Sequence, residues 1–184
     1  KKSLTDWKKT FTEIKYKKIM SIATSFIGEL KHEGALTRKI LSAVPFDNPE
    51  WKPHEKSMTI GRLATHIAEN THWITVIIQN DVFDFAANRP PKPRVAVSRE
   101  EILELFDHNI NEALAALDKA DDTELTKTWK LTRGEQVIYE MPKKVAIRAW
   151  AFSHMIHHRG QLSVYLRLQD VPVPGMYGPS ADEK

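Results

Sequence analysis

Three of the eight histidines in this 184-residue chain fall within five residues, in Ser153-His154-Met155-Ile156-His157-His158-Arg159-Gly160-Gln161. On a helix, His154 and His158 are four positions apart and project from one face, one turn above the other. Two neutral imidazoles so placed can clamp a divalent metal ion. A catalytic metal commonly takes three protein ligands and keeps a position for water or substrate, so a neighbouring element must supply the third. His66, in Leu63-Ala64-Thr65-His66-Ile67-Ala68-Glu69, lies at the edge of an apolar helical face and points across to a neighbour. His72 falls on the far side of that segment and is read as solvent-facing; His32, His54 and His108 have no comparable partner and are read as surface residues. A lone core-facing histidine is more often a buried ring satisfied by a hydrogen bond than a ligand. Two on one face, with His66 opposite, favour the metal. The chain has no cysteine, so a transition-metal site must use histidine or carboxylate. Met155 stands where a zincin protease needs glutamate, which argues against that activity.

Taking about 100° per residue, His154 and His158 stand about 40° apart at the centre of a face shared with Ile147, Trp150, Ala151, Gln161 and Tyr165. His157 falls on its shoulder, about 60° away from His154. A second apolar stripe, Val145, Phe152 and Ile156, lies on the opposite side. A helix with two apolar faces is either central or buried in a subunit contact, and a homodimer through the Val145/Phe152/Ile156 face is the expectation.

These residues must be held by long elements, and the periodicity supplies four. Ile22, Phe26, Ile27, Leu30, Leu36, Ile40 and Leu41 predict a helix from about Met20 to Val44, ended by Pro45. Phe46–Ser57, with Pro49 and Pro53, reads as a loop anchored by Trp51. Ser57 or Thr59 can cap a second helix running to about Gln79. Asp81–Val97 contains Asn88-Arg89-Pro90-Pro91-Lys92-Pro93 and reads as a surface crossover. Ser98-Arg99-Glu100-Glu101 is a capping box that opens a third helix, closed at Asp121-Asp122. Residues 125–140, around Arg133-Gly134-Glu135, are either a short hairpin or an irregular excursion. Pro142 suits the first turn of a fourth helix reaching about Leu168, and the proline-rich tail beyond Val171 is extended. The architecture expected is all-α: an antiparallel four-helix bundle with long crossover loops, whose core is where facing helices build metal sites.

Composition bounds the rest. At 41% hydrophobic and 28% charged, the chain can fill one core. It has no apolar run of about 18 residues, so no membrane span is expected, and a cytoplasmic location is. The net charge of +3 is unevenly placed, because residues 1–19 hold seven lysines and two acids. The rest carries a formal charge of about −2, which argues against nucleic acid as a partner. Leu4, Trp7, Phe11, Ile14 and Ile19 make residues 1–19 a plausible amphipathic extension. Met20 looks like a natural start, so residues 1–19 are expected to be an added leader and 20–184 the single domain.

His154-Met155-Ile156-His157-His158-Arg159-Gly160-Gln161-Leu162, with Leu63-Ala64-Thr65-His66-Ile67 upstream and the ending Pro172-Val173-Pro174-Gly175-Met176-Tyr177-Gly178-Pro179-Ser180, resembles the DinB/YfiT-like superfamily of metalloenzymes. The resemblance spans about Met20 to Glu183. It implies up-down-down-up connectivity, frequent dimers and a divalent metal such as zinc or nickel on three histidines, here His66, His154 and His158. Relatives include bacillithiol S-transferases, mycothiol-dependent isomerases and metal-dependent hydrolases. A small-molecule substrate, in particular a low-molecular-weight thiol, is therefore expected, with Gln161 or Tyr165 orienting it and Glu69 supporting a ligand or acting as base. A non-catalytic, stress-associated metal-binding dimer is the alternative from outside enzymology.

Overall fold

The computed structural model describes residues 21–88 and 93–183. The amphipathic extension expected over 1–19 and residues 89–92 of the expected crossover lie outside the described residues. The fold is mostly helical with a small three-stranded sheet. Its first helix, α1 (Ile22–Leu41), starts where the Ser21 hydroxyl accepts from the Thr24 amide, and a second tether runs from the Ile22 amide to Asp122 at 2.9 Å. Thr59 caps α2 (Ile60–Asn70) in the same way.

The expected single second helix is broken. A new segment, α3 (His72–Gln79), begins at Thr71 without a side-chain cap. Its cause is visible one helix away: Asn109, buried on α5 (Arg99–Lys119), donates to the Ala68 carbonyl at 2.9 Å. A side chain that occupies a carbonyl of the i to i−4 ladder removes it from the helix and permits the bend.

The crossover carries more structure than its composition predicts. It contains a short strand, β1 (Val82–Asp84), and one helical turn, α4 (Phe85–Asn88), before Ser98 caps α5. After α6 (Asp122–Thr126), β2 (Thr128–Arg133) and β3 (Gln136–Pro142) form an antiparallel hairpin, and β1 lies parallel to β2 with Val82 opposite Lys130. Residues 125–140 are thus the hairpin rather than the irregular excursion. The sheet corrects the all-α expectation. Gly134 turns the hairpin at φ 59°, a left-handed conformation that costs glycine little.

Pro142 closes β3 and precedes the last helical segment. That segment runs from α7 (Lys143–Ile147) through six residues of π-helix, Arg148–Ser153, into α8 (His154–Leu168). A π-helix advances about 80° per residue rather than about 100°. Val145 and Phe152 therefore part company: Val145 turns to solvent, while Phe152 is buried and packs on Phe26 of α1 at 5.6 Å. Val145, Phe152 and Ile156 do not form the single exposed back face expected of them. The helix has two apolar sides because it is central, with α1 covering one and α2 the other.

Two buried charge clusters fix this helix, one at its first residue and one within α8. Lys143, 1% exposed, reaches Glu124 at 2.5 Å, Asp81 at 2.7 Å and the Ile78 carbonyl at 2.9 Å. Arg159, 2% exposed, pairs with Glu33 at 2.6 Å, donates to Thr37 at 3.0 Å, and contacts the Tyr177 hydroxyl. Tyr177 also donates to Glu33, so the extended tail is tied to α1 and α8 together. The apolar core fills the space between these anchors: Phe26, Leu30, Ile74, Ile77 and Trp129 toward one end, Ile40, Ile60, Leu63, Phe106 and Leu162 toward the other. Each fully buried leucine or isoleucine there contributes about 1.5–3 kcal/mol of transfer free energy. No helix among the described residues is long and apolar enough to cross a membrane.

Candidate metal centre

The site forms where α2 faces α8. His66 sits one turn before the break in α2, His154 is the first residue after the π-helix, and His158 follows one turn later. Thr65, beside His66, holds α2 in place by donating to Gly61 O at 2.7 Å and accepting the Ala96 amide at 2.9 Å. The His66 ring meets those of His154 and His158 edge to face, those two are tilted at 50° to each other, and the three centroids are 4.6–4.9 Å apart. His66 and His154 bring their Nε2 atoms to 3.2 Å, and one ligand atom from each of the three residues lies within 4.8 Å of the others.

The electrostatics favour the neutral ring at His154 and His158. Burial, then repulsion from His66 and His158, pushes the His154 pKa down to about 4, and burial likewise lowers that of His158. The Trp150 carbonyl favours the charged form of His154, but not in a geometry that makes a hydrogen bond, so His154 Nδ1 is buried without a partner. His158 Nδ1 lies 2.7 Å from Gln161 Oε1. Gln161 Oε1 can only accept, so Nδ1 carries the proton and Nε2 keeps its lone pair free. Glu69 is buried enough to raise its pKa, yet His66 and Arg62 together bring it below the ordinary value. It pairs with Arg62 at 2.9 Å and stands 3.9 Å from His66 Nδ1.

This donor set fits a divalent transition metal. Neutral imidazoles are the required protonation state, and a ring whose second nitrogen is held by an acceptor is the usual supported ligand. Two nitrogens about 2.0–2.1 Å from a tetrahedral ion stand about 3.3 Å apart, close to the 3.2 Å between His66 and His154.

The residues expected at the site divide. His66, His154 and His158 come together, with His157 exposed beside them, its ring centroid 4.9 Å from that of His158. Gln161 reaches a ligand, and Glu69 lies near one. Tyr165 is engaged elsewhere: its hydroxyl donates to Met58 O at 3.3 Å and its ring packs on Trp51. His32, His54, His72 and His108 are exposed. Sequence reasoning missed Arg62, whose spacing of seven from Glu69 places both on one face of α2. It also missed a cleft of about 410 Å³ opening on His154. Tyr139 and Met141 of β3 wall it on one side, Ala149, Trp150 and Ser153 of the π-helix on the other, and His157 stands at its edge. Larger hollows of about 550 and 420 Å³ near Lys143 and Asp121 have no histidine in their walls.

A mostly helical fold in which two helices bring three histidines together defines the class. Residues 20–184 match the DinB family, and the chain belongs to it. It is 27% identical to the uncharacterized protein YrdA of Bacillus subtilis (strain 168) over 86% of this chain and 89% of YrdA. The fold is shared with a DinB-like protein from Bacillus cereus ATCC 10987, with a TM-score of 0.68, 23% identity, and coverage of 85% of this chain and 98% of that one. It is likewise shared with the DinB-like protein YjoA of Bacillus subtilis, with a TM-score of 0.63, 17% identity, and coverage of 87% and 99%.

Proposed function

We propose that this chain is a divalent-metal-dependent enzyme that activates a thiol or a water molecule at His66, His154 and His158, and that its reaction is small-molecule thiol S-transfer. The observation that carries the reading is the convergence of the three rings, with one ligand atom from each within 4.8 Å of the others. The four long helical stretches, α1, α2 with α3, α5, and α7 with α8, are read as the up-down-down-up bundle that the family resemblance implies. Zinc or nickel is the ion expected, since imidazole suits both.

A divalent ion held there supplies Lewis acidity, which makes a thiol or water an anionic nucleophile near pH 7. The protein's part is to prepare the site. Gln161 fixes the His158 tautomer, holding the proton at Nδ1. Glu69 holds Arg62 at 2.9 Å, and Arg62, 3.4 Å from His66 Nδ1, is the group through which the carboxylate supports that ring. A carboxylate held below its ordinary pKa is a weak base at neutral pH, which favours this supporting role over proton abstraction. The cleft beside His154 admits a small molecule and shields the reacting atoms on one side.

Elemental analysis of protein purified without a metal-affinity tag tests the proposal. Close to one equivalent of zinc or nickel is expected, falling below about a tenth in His154→Ala. Less than a tenth in both proteins overturns the reading. With metal present, turnover of esters or amides in place of thiol transfer moves the chemistry to water.

A further inference from the structure

The walls of the cleft beside His154 are chemically unlike those of the other hollows. The 550 Å³ hollow is edged by Asp81, Glu112, Glu124, Lys119 and Lys127, and the 420 Å³ hollow by Asp118, Asp121 and Asp122. The cleft opening on His154 has no acidic or basic side chain apart from its histidines. A charged ligand would find no counter-ion in it, and would lose hydration on entering.

Its walls instead offer ring surface. Tyr139 and Trp150 meet at 5.3 Å with their planes 66° apart, making a corner of two aromatic faces. Trp150 is backed by Trp73 at 6.4 Å, so this wall is built before any ligand arrives. Tyr139 is 46% exposed, a large apolar area for a strand residue, and its strand neighbour Met141 adds a thioether, a group that packs well on ring edges. Ala149 keeps the space open, since any longer side chain there would enter it. Ser153, His157 and the Tyr139 hydroxyl supply a few hydrogen-bonding groups for the ligand, and the Trp150 indole N–H is left unpartnered.

We infer that this cleft, between β3 and the π-helix, binds the neutral aromatic portion of the substrate and delivers its reacting atom to the three histidines. The inference rests on the enzymatic reading above and specifies the substrate class: a small uncharged molecule bearing an aromatic ring. Aromatic guests favour offset or edge-to-face contacts, and the Tyr139–Trp150 corner supplies both.

The test is protein-observed NMR on the zinc-loaded protein and again after chelation, following the Trp150 indole N–H and the Met141 methyl. The probes are 2-naphthol and cyclohexanol, with 2-naphthoate added for the chelated protein. 2-Naphthol is expected to shift both signals, with or without zinc, and to bind at least tenfold tighter than cyclohexanol or 2-naphthoate. Ala149→Leu, which fills the cleft, should weaken 2-naphthol at least tenfold with metal content unchanged, and Tyr139→Ser should weaken it by removing half the corner. The inference is overturned if 2-naphthol leaves Trp150 and Met141 unmoved, if cyclohexanol or 2-naphthoate binds as tightly, or if a folded Ala149→Leu or Tyr139→Ser variant binds 2-naphthol as the parent does. Because the chelated protein is tested too, failure here is separate from failure of the metal reading, which metal content decides.

Discussion

His66 and His154 face each other through Nε2 atoms 3.2 Å apart, although 88 positions of chain separate them. Two ring nitrogens at that distance share either a proton or a cation. The geometry ranks the histidines of the 154–158 cluster, because His158 is 8% exposed and aimed inward while His157 is exposed. His66→Ala and His158→Ala should each reduce bound metal below about a tenth of an equivalent, and His157→Ala should leave it within about twofold of the parent. Metal content of the three purified variants checks this. An equal loss in His157→Ala would break the ranking.

Gln161 touches no metal position and acts through His158. Losing an outer hydrogen bond of this kind typically costs about 10–100-fold in metal affinity. Gln161→Ala should show that loss in competition with a chromogenic chelator. Gln161→Glu, which still accepts from Nδ1, should recover most of it. Unchanged affinity in Gln161→Ala would mean that the 2.7 Å contact does not orient the ring.

The helices were legible in the sequence because their signals are local. Ser98 caps where the pattern put it, Thr59 is the cap of the two residues offered for α2, and the i, i+4 spacing of His154 and His158 survives as an inward pair. What was hidden depends on partners distant in the chain. The bend at Thr71 comes from Asn109, 38 positions later, and β1 is three residues long, too short to show alternation. Phe152 was placed on a back face because uniform phasing cannot register a π-helix. Arg159 read as part of a motif, while its structural work depends on Glu33 and on Tyr177 in the tail.

Arg159 and Glu33 form a buried pair immediately after His158 in the chain. Removing one partner leaves an uncompensated buried charge, which typically costs about 3–5 kcal/mol. Glu33→Ala should lose stability on that scale in urea unfolding. Tyr177→Phe, at an exposed residue, removes the hydroxyl that accepts from Arg159 and donates to Glu33 and should cost less, about 1–2 kcal/mol. A Glu33→Ala variant as stable as Tyr177→Phe would show that the guanidinium is satisfied without the carboxylate.

Glu124 gives the stability a pH dependence away from the histidines. Hydrogen bonds from Lys127 and then Lys143 hold its carboxyl below the ordinary 4.5. A carboxylate with a depressed folded pKa stabilises the fold fully above its unfolded pKa, and that stability is lost as pH falls through the folded value. Urea unfolding should therefore show the parent more stable than Glu124→Gln at pH 7, with the gap narrowing below about pH 4.5. A gap of constant size at both pH values would trace the effect to packing. Asp81 still pairs with Lys143 in the variant, so the loss at pH 7 should fall short of the ~3–5 kcal/mol of a wholly broken buried pair.

The π-helix makes the last prediction, because it sets the phase between the hairpin end of the molecule and the histidines. One extra residue within an α-helix produces such a bulge, and its removal restores regular winding. Ala149 is exposed and lies inside the π segment, so deleting it removes no core side chain. Six π residues at about 80° and five α residues at about 100° turn through nearly the same angle, so a single deletion leaves the flanks in phase to within about 20°. Ala146 and Ile147, buried before the break, and His154, Met155 and His158 after it therefore keep their faces, and the metal content should stay within about twofold of the parent. Deleting Arg148 together with Ala149 turns the flanks by about 100° more and should lower Tm and bound metal together. A single deletion that loses metal as the double deletion does would show that the site needs the π-helix itself and not only the phase it sets.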